Sequence, residues 1–311
     1  MLQTVSKTFF HILAGSRPLK SLASRYGMRG NGGFARRFIA GETVEEAIAA
    51  ARVIERDGLT VTLDLLGESV ATGAEADAAT RAYLAVINAI AASGVSRNVS
   101  LKLTQLGLTI DRATCVDNLR RILDGAAAQE FFVRIDMENS PYTAVTLGIF
   151  ETMWQQEYRN AGVVLQSCLP RSEQDARRMN ELGARVRLVK GAYKEPRAVA
   201  YQAKADVDAA FVRIMRMLLA DGTYSAIATH DPAMIEATRA FARERNIDPG
   251  RFEFQMLYGI RRDLQASLLR EGYRVRVYVP FGREWFPYFM RRLGERPANV
   301  GFVLRGILSE R

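Results

Sequence analysis

The strongest chemical signal in the sequence lies near its C-terminus, in a segment rich in aromatic and basic residues. Tyr288, Arg291, Arg292 and Glu295 are spaced at i, i+3, i+4 and i+7, so a helix would place them on one face. Pro287 suits the first turn of such a helix. Paired guanidinium groups bind a carboxylate through two parallel hydrogen bonds, so this face could hold an anionic substrate. A solvated basic helix face would show the same spacing, and the spacing alone does not separate the two.

A second set of polar side chains interrupts apolar runs that have the pattern of strands. Its members are Glu68, Lys102, Asp136, Glu138, Gln166, Arg187, Lys190, Tyr193, Thr229, His230, Gln255 and Tyr278. Strands buried on both faces are nearly all apolar, and a charge among them is costly unless it is paired or used. Singly, these residues have structural explanations: Lys102 could extend to solvent, and Asp136 and Arg187 could form a buried ion pair. Together they favour one site on which many polar groups converge.

Metal and nucleophilic chemistry are less well supported. The sequence has two histidines, His11 and His230, and its carboxylates form no tight cluster of ligands. A Ser/Cys–His–acid arrangement and a Walker motif are both missing from the sequence. Cys115 and Cys168 form no CxxC motif and no disulfide framework, so we expect two small buried side chains in a reducing compartment. We predict no metal.

To bring these polar residues together, the chain needs elements that end at one place. Eight runs have the pattern of strands: 59–66, 98–108, 132–138, 161–169, 186–193, 225–230, 252–258 and 275–280. Helical patterns such as 75–93 and 206–220 lie between them, and a capping box at Thr43 and Glu46 opens a helix that Gly58 ends. Eight strand–helix units in roughly 250 residues predict a closed α/β barrel of the (β/α)8 TIM-like type, whose active site lies at the carboxyl ends of its strands.

An open doubly wound sheet is the structural alternative. Such sheets usually carry a glycine-rich nucleotide-binding turn after their first strand. Here Gly67, Glu68 and Ser69 follow that strand and do not form GxGxxG. The barrel is therefore the preferred fold.

The charge of the chain is concentrated at no single place except the N-terminus. The formal net charge is +9, but the basic residues are scattered, which argues against nucleic acid as a partner. Residues 1–41 hold seven Lys and Arg and no acidic residue, so we predict a basic helical arm there and the catalytic barrel over 42–311. The arm would cover the barrel or touch an anionic membrane surface, although a transit peptide has a similar composition. The apolar stretch within it is too short to span a membrane, and we expect a cytoplasmic protein, peripheral on the inner face of the cytoplasmic membrane at most.

The C-terminal segment resembles the signature of the proline dehydrogenase family. In that family a Tyr-x-Pro-x-Gly strand end precedes a final helix with Tyr-x-x-Arg-Arg-x-x-Glu, which residues 278–282 and 288–295 match position for position. Further segments resemble family motifs in the same order: 101–103, 135–138, 187–193, 229–230 and 252–257. The resemblance runs from about Phe34 to Asn299. The short chain is similar to the bacterial stand-alone enzymes rather than to the fused proline-utilisation flavoproteins, which carry an aldehyde dehydrogenase domain.

This resemblance implies a flavoenzyme that oxidises L-proline to Δ1-pyrroline-5-carboxylate, the first step of proline catabolism to glutamate. Hydride would pass from proline C5 to N5 of a non-covalent FAD, and electrons would leave to a membrane quinone. A separate pyrroline-5-carboxylate dehydrogenase would use the product. The final helix would sit over the barrel mouth as a lid.

The resemblance also implies a role for each matching residue. The flavin would contact Met137, Gln166, Arg187, Val189, Lys190, Gly191, Ala192, Thr229, His230 and Gln255. L-Proline would contact Glu68, Lys102, Leu257, Tyr278, Tyr288, Arg291 and Arg292. Asp136 and Arg187 would be catalytic: Asp136 would hold Lys102 or the flavin surroundings in place, and Arg187 would lie beside the isoalloxazine. Glu68 resembles the acidic partner that closes an ion-pair gate with Arg291.

Three other functions remain as alternatives. A hydroxyproline dehydrogenase or a methylenetetrahydrofolate reductase-like enzyme would share the barrel and the flavin. Tyr288 resembles the family position that disfavours a ring hydroxyl, and a pterin substrate would not need twin arginines. A non-catalytic flavin- or RNA-binding module would use the positive charge alone.

Overall fold

Eight parallel strands close into a barrel in which each strand pairs with the next and the first pairs with the last. The computed structural model describes residue 28 and residues 33–295 of the 311-residue chain. The strands are β1 Thr60–Leu65, β2 Asn98–Leu101, β3 Phe132–Ile135, β4 Ala161–Gln166, β5 Arg185–Val189, β6 Ser225–Ala228, β7 Phe252–Leu257 and β8 Val275–Phe281. The predicted (β/α)8 barrel is confirmed, and the open sheet is excluded.

Helices alternate with these strands along the described part of the chain. They are α1 Val44–Arg56, α2 Gly73–Ser93, α3 Arg112–Ala127, α4 Ser140–Gln155, α5 Ser172–Leu182, α6 Lys204–Asp221, α7 Pro232–Glu244, α8 Arg262–Arg270 and α9 Trp285–Glu295. Short 3-10 helices cover Phe34–Arg37, Leu103–Leu106 and Pro249–Arg251. The capping box of Thr43 and Glu46 is present at the start of α1, and Gly58 follows its end with φ +85°.

Several strands end earlier than the sequence pattern predicts. The run 98–108 is a strand only to Leu101, and Leu103–Leu106 form a 3-10 helix instead. These four residues are buried, so their apolar pattern resembles that of a buried strand. The runs 132–138, 161–169 and 186–193 likewise leave the sheet after Ile135, Gln166 and Val189. The predicted boundaries were wrong there because hydrophobicity indicates burial and not pairing in a sheet. After each of these strands, buried residues continue at the barrel mouth in irregular backbone.

Two kinds of side chain alternate along the strands. Apolar residues such as Val61, Leu63 and Val133 belong to the main hydrophobic core with residues of the surrounding helices. The alternate positions face the barrel interior and are largely polar. They include Asp64, Ser100, Arg134, Asp136, Arg187, Glu253, Gln255, Arg276 and Tyr278, and several of them hydrogen-bond to one another across the barrel. The fold therefore brings charged groups from distant strands into contact.

A second, smaller hydrophobic cluster joins the N-terminal segment to α9. It contains Met28, Ala35, Phe38, Ile39, Leu66, Trp285, Phe286, Tyr288, Phe289, Met290 and Leu293. Hydrogen bonds tie the same segment to the end of β8: Ala40 N donates to Pro280 O, and Gly282 N donates to Gly41 O, both at 2.9 Å. Most of the predicted arm over 1–41 lies outside the described residues. Within the described part, no helix is long and apolar enough to cross a membrane.

Candidate active site

A cavity of about 560 Å³ opens where the strands end at their carboxyl side. Every predicted site residue except Glu68 lines it: Lys102, Asp136, Met137, Gln166, Arg187, Val189, Lys190, Gly191, Ala192, Thr229, His230, Gln255, Leu257, Tyr278, Tyr288, Arg291 and Arg292. The lining also includes residues outside that prediction: Val164, Tyr193, Ala228, Asp231, Pro232, Met256 and Arg261. Ligand cavities typically have volumes of roughly 300–1,000 Å³. The volume and the lining are therefore those of a ligand site.

Asp136, directly after β3, is the centre of a buried polar network. Its Oδ1 accepts hydrogen bonds from Arg187 Nη1 at 2.7 Å and Ser100 Oγ at 2.9 Å. Its Oδ2 accepts from the hydroxyl of Tyr278 at 2.7 Å and lies 3.6 Å from Lys102 Nζ. Burial alone would raise the pKa of Asp136, but the charges of Arg187 and Lys102 outweigh burial and lower it. Asp136 is therefore an ionised anchor for three side chains of the cavity.

Lys102 lies between two carboxylates. Besides Asp136, its Nζ contacts Asp64 Oδ1 at 3.3 Å, and Asp64 is completely buried on β1. Burial lowers the pKa of Lys102, but the two carboxylates raise it well above its ordinary value. Burial also raises the pKa of Asp64. Lys102 is consequently a fixed positive charge inside the barrel. Asp64 was not predicted, although a carboxylate within an apolar strand is the signal that could have identified it.

Arg187, on β5, is held by hydrogen bonds through Nε and Nη1. Its Nε donates to Gln255 Oε1 at 2.6 Å, and its Nη1 donates to Asp136 and to Ser100 Oγ, the latter at 3.2 Å. Its guanidinium lies 5.1 Å from the ring centroid of Tyr278. Among the residues that the structure describes, nothing accepts a hydrogen bond from its buried Nη2. That N–H group can donate to a ligand in the cavity.

The loop after β5 approaches the cavity with its backbone at Gly191. This residue has φ +112°, and a Cβ atom there would collide with Sγ of Cys168 and lie 3.3 Å from Gln166 Oε1. Only glycine fits both restrictions, so backbone rather than side chain borders the cavity here. Cys168 itself is partly exposed, contrary to the expectation that both cysteines are buried, whereas Cys115 is buried.

Ion pairs and a histidine fix the cavity wall beside β6. Lys190 Nζ lies 2.5 Å from Asp208 Oδ1 and 2.7 Å from Asp231 Oδ2, and Lys204 pairs with the same two carboxylates. Partial burial would raise the pKa of Asp231, but its hydrogen bonds, first of all with Lys190, lower it to about 2. The backbone N–H of Leu257 donates to His230 Nε2 at 3.0 Å, so Nε2 is unprotonated.

Helix α9 covers the opposite wall with the predicted carboxylate-binding residues. Arg291 Nη1 contacts Glu68 Oε1 at 2.7 Å, which is the ion pair that the resemblance implies. The guanidinium of Arg292 lies 5.1 Å from the ring centroid of Tyr288. Glu68 borders an adjoining cavity of about 430 Å³ that shares Lys102, Tyr288 and Arg291 with the first. The Glu68–Arg291 pair thus lies at the boundary of the two cavities.

Two further residues at the mouth belong to the polar set of the sequence, but the resemblance gave them no role. Glu138 accepts hydrogen bonds from Thr104 N at 3.1 Å and Thr104 Oγ1 at 2.5 Å, and its carbonyl accepts from Gln166 Nε2 at 2.9 Å. It therefore fixes both the 3-10 helix after Lys102 and the amide of Gln166. Tyr193 lines the cavity, and burial raises its pKa to about 12. Both stood out in the sequence as polar residues at strand ends.

Comparisons with known proteins identify the family. The family model described as "Proline dehydrogenase" matches residues 47–305. The chain belongs to the proline dehydrogenase family. Members of this family are generally flavin-dependent oxidoreductases.

Relatives of the proline dehydrogenase family match nearly the whole chain. It is 43% identical to proline dehydrogenase 1 of Bacillus subtilis over 97% of this chain and 98% of the relative. It is 43% identical to the proline dehydrogenase of Deinococcus radiodurans over 88% and 90% of the two chains. Among solved structures, proline utilization A from Bdellovibrio bacteriovorus inactivated by N-propargylglycine matches with a TM-score of 0.80 and 28% identity. That match covers 84% of this chain and 32% of the larger protein, so the chain spans about a third of it.

Proposed function

We propose that this chain is an FAD-dependent L-proline dehydrogenase that forms Δ1-pyrroline-5-carboxylate and passes electrons to a quinone. The observation that carries the proposal is the arrangement of charges in one cavity. Arg291, Arg292 and Lys102 can hold a carboxylate, and Arg187 and Gly191 line the same cavity. Nη2 of Arg187 has no acceptor among the described residues. The site thus has cations for the carboxylate of an amino acid next to space for a planar cofactor.

The residues along the β5 side fit a flavin. Gly191 lets the backbone approach a ring system closely, and the free Nη2 of Arg187 offers it a hydrogen bond. The residues that would hold FAD without a covalent bond are Met137, Gln166, Arg187, Val189, Lys190, Gly191, Ala192, Thr229, His230 and Gln255. When bound, FAD supplies the two-electron acceptor for the hydride of proline C5. A cation that is held in place, as Arg187 is, favours the reduced, electron-rich flavin.

The other side of the cavity fits L-proline. Arg291 and Arg292 would bind its carboxylate, with Lys102 as a further cation, and Leu257, Tyr278 and Tyr288 would pack against its ring. The ion pair of Glu68 with Arg291 would act as a gate that closes over bound L-proline.

The chemistry asks for orientation rather than for a strong base. The neutral amine of proline loses a hydride from C5, and an iminium remains. Asp136 is ionised, but Arg187, Ser100 and Tyr278 already donate to it. We therefore assign Asp136 the task of fixing Arg187, Tyr278 and Lys102, and we expect no carboxylate to abstract the C5 hydrogen.

The first experiment is to record the flavin absorbance of the purified protein near about 450 nm, anaerobically, before and after adding L-proline. We expect bleaching by L-proline and none by NADH or hydroxyproline. Bleaching by hydroxyproline or by NADH would favour the other barrel flavoenzymes. A yellow protein that nothing bleaches would favour a non-catalytic flavin-binding module, and a colourless protein that takes up no FAD would contradict the proposal.

We further propose that the basic N-terminal segment brings the enzyme to an anionic membrane on the cytoplasmic side, where the quinone would be found. Residues 1–41 carry basic and no acidic side chains. A separate pyrroline-5-carboxylate dehydrogenase would take the product. Deleting residues 1–25 should weaken sedimentation with anionic liposomes, and unchanged sedimentation would contradict the membrane role.

A further inference from the structure

A second buried polar layer lies beneath Gln255, on the side away from the cavity mouth. Glu253 precedes Gln255 by two residues on β7, so both side chains point to the barrel interior. Glu253 is 3% exposed, and it does not line the cavity. Its contacts nevertheless lead to Arg187 through one intermediate side chain.

The amide of Gln255 connects Glu253 to Arg187. Gln255 Nε2 donates to Glu253 Oε1 at 2.5 Å, and Gln255 Oε1 accepts from Arg187 Nε at 2.6 Å. A guanidinium can only donate, and an ionised carboxylate can only accept. A flipped amide would set its NH₂ against the Nε–H group of Arg187 and its oxygen against the carboxylate. The two neighbours therefore allow one orientation of the amide.

Glu253 is kept ionised and in place by its own neighbours. Arg276 Nε donates to both of its oxygens, at 2.9 and 3.1 Å, and Arg276 Nη1 is fixed by Val61 O at 2.6 Å. Tyr224 donates its hydroxyl to Glu253 Oε2 at 3.1 Å. Burial would raise the pKa of Glu253, but Arg276 outweighs burial and lowers it. The carboxylate is thus a permanent acceptor for Gln255.

The two oxygens of this carboxylate have different tasks. Oε1 meets Gln255, whereas Oε2 meets Tyr224, and Arg276 contacts both. A purely structural role would need only the negative charge beside Arg276. A role in positioning Arg187 needs Oε1 at hydrogen-bond distance from Gln255. Variants can separate these two requirements.

We propose that Glu253 is a positioning residue for the reaction: it fixes the amide of Gln255, which holds Arg187 so that Nη2 remains available to the bound flavin. The proposal rests on the proposed function, because the consequence of moving Arg187 is felt by the flavin. The proposal adds a residue that does not line the cavity to those that position the flavin.

The test uses the holoenzyme of three variants. Glu253→Gln offers Gln255 both a donor and an acceptor, so only Arg187 still fixes the orientation of the amide. Glu253→Asp keeps the charge beside Arg276 but withdraws the carboxylate from Gln255. Tyr224→Phe is the matched control, since it removes a hydrogen bond to the same carboxylate on the oxygen that Gln255 does not use.

The decisive readout is the midpoint potential of the bound flavin, measured spectroscopically, together with kcat and KM. We expect Glu253→Asp to lower the potential by about 30 mV, which for a two-electron couple is about a tenfold change in the equilibrium constant. Glu253→Gln should lower it less, because the loss of a negative charge by itself raises the potential. We expect kcat to fall with it and KM for L-proline to stay unchanged, since Glu253 lies away from the carboxylate clamp. Tyr224→Phe should keep the potential and kcat of the wild type.

Each outcome decides the proposal. Wild-type potential in Glu253→Asp would overturn it, because that variant keeps the charge and moves only the carboxylate. A raised potential in Glu253→Gln beside a wild-type potential in Glu253→Asp would show that only the charge matters. If Glu253→Gln does not fold, Glu253→Asp decides by itself. A wild-type chain that takes up no FAD, or whose flavin L-proline does not bleach, would contradict the proposed function instead, and that measurement is made first.

Discussion

At the scale of single residues, the cavity depends on carboxylates that arrange cations rather than act on substrate. Asp136 holds the side chains of Arg187, Tyr278 and Lys102 at once. A buried carboxylate with three partners is costly to lose, because the partners cannot all be satisfied by a neutral group. Removing one partner of a buried ion pair typically costs about 3–5 kcal/mol.

Asp136→Asn should therefore impair catalysis strongly, although the substitution hardly changes the size of the side chain. We expect kcat/KM for L-proline to fall roughly 100-fold, which corresponds to about 2.7 kcal/mol. Ser100→Ala is the control, since it keeps the charge of Asp136 and removes only a hydroxyl that donates to the same oxygen and accepts from Arg187 Nη1, and it should cost less than about tenfold. Steady-state kinetics with an artificial electron acceptor measure both. Similar losses in the two variants would show that the charge of Asp136 is not what matters.

Gly191→Ala tests the close approach of the backbone to the cavity. The left-handed φ and the collision with Cys168 predict that the loop shifts, with strain of about 1–3 kcal/mol. We expect the protein to fold and its affinity for FAD to fall roughly tenfold or more. Gly148→Ala is the control, because it lies within α4 and its Cβ would meet only Arg112 Nη2 at 3.8 Å. Equal FAD affinity in both variants, measured by flavin titration, would contradict the assigned position of the flavin.

The two cysteines should differ in reactivity. Cys115 is fully buried, and burial raises the pKa of its thiol to about 12, so it stays protonated at about pH 8. Cys168 is partly exposed beside Gly191. We expect a thiol reagent to modify one cysteine in the folded protein and two after unfolding. Bound FAD should slow the first reaction, and rapid modification of Cys115 in the native state would contradict this description.

At the scale of elements, α9 is positioned by the N-terminal segment as much as by the barrel. Phe38 lies 6.1 Å from Phe289 between ring centroids, and Trp285 Nε1 donates to Glu42 Oε1 at 3.0 Å. The helix that carries Tyr288, Arg291 and Arg292 thus packs on a small cluster of its own. Substitutions in that cluster should therefore alter substrate binding without any change in the barrel.

Phe38→Ala separates this packing from general stability. Truncating a buried Phe costs about 3–5 kcal/mol of unfolding free energy. Phe150→Ala removes an equally buried ring from the main core on α4 and should cost a similar amount. We expect KM for L-proline to rise severalfold in Phe38→Ala only, because α9 loses its support. Thermal unfolding and steady-state kinetics test both variants, and an equal KM in the two would exclude a specific role of the cluster.

The elements themselves could largely be predicted from the sequence. Periodicity and capping residues identified eight strands and the helix that begins after Thr43, because these signals are local. The strand ends could not be placed, as the 3-10 helix Leu103–Leu106 shows, because burial at the mouth resembles burial in the sheet. The contact between residues 35–39 and α9 joins segments some 250 residues apart, and no local pattern encodes it.

At the scale of the whole molecule, the barrel is unusual in having a charged interior. Most barrels of this type fill the interior with layers of apolar side chains. Here the interior holds Lys102, Arg134, Arg187 and Arg276 with the carboxylates Asp64, Asp136 and Glu253. Gly162 makes room for one of them, since a Cβ atom there would lie 2.7 Å from Arg134 Nη1.

This charged interior also explains which site residues the sequence could reveal. Lys102, Asp136 and Arg187 stood out because charges in apolar strands are costly. Their partners Asp64 and Ser100, and Glu253 behind Gln255, were missed because pairing depends on register and barrel closure. Arg187 and Gln255, for example, are 68 residues apart and meet only when the sheet closes. The cations at the mouth and their pairing with Asp136 and Glu68 were predictable, whereas the partners deeper in the barrel were not.

The buried carboxylates Asp136 and Glu253 should make the free energy of unfolding depend on pH. Asp136 and Glu253 have pKa values below those of unfolded chains. Between the folded and unfolded pKa, the unfolded state binds more protons, so stability is fully present above the unfolded value and is lost as pH falls through the folded one. Each such group contributes a slope of up to about 1.4 kcal/mol per pH unit in that window. We expect the free energy of unfolding of the wild type to fall steeply below about pH 5.

In Glu253→Gln the free energy of unfolding should be lower at neutral pH and should fall less steeply, because the variant has one proton fewer to take up. Glu244→Gln is the control, as Glu244 is exposed and lies 3.7 Å from an exposed Arg245. Urea unfolding between about pH 3 and pH 7 measures all three proteins, and parallel curves for Glu253→Gln and the wild type would show that Glu253 is not the ionised group described above.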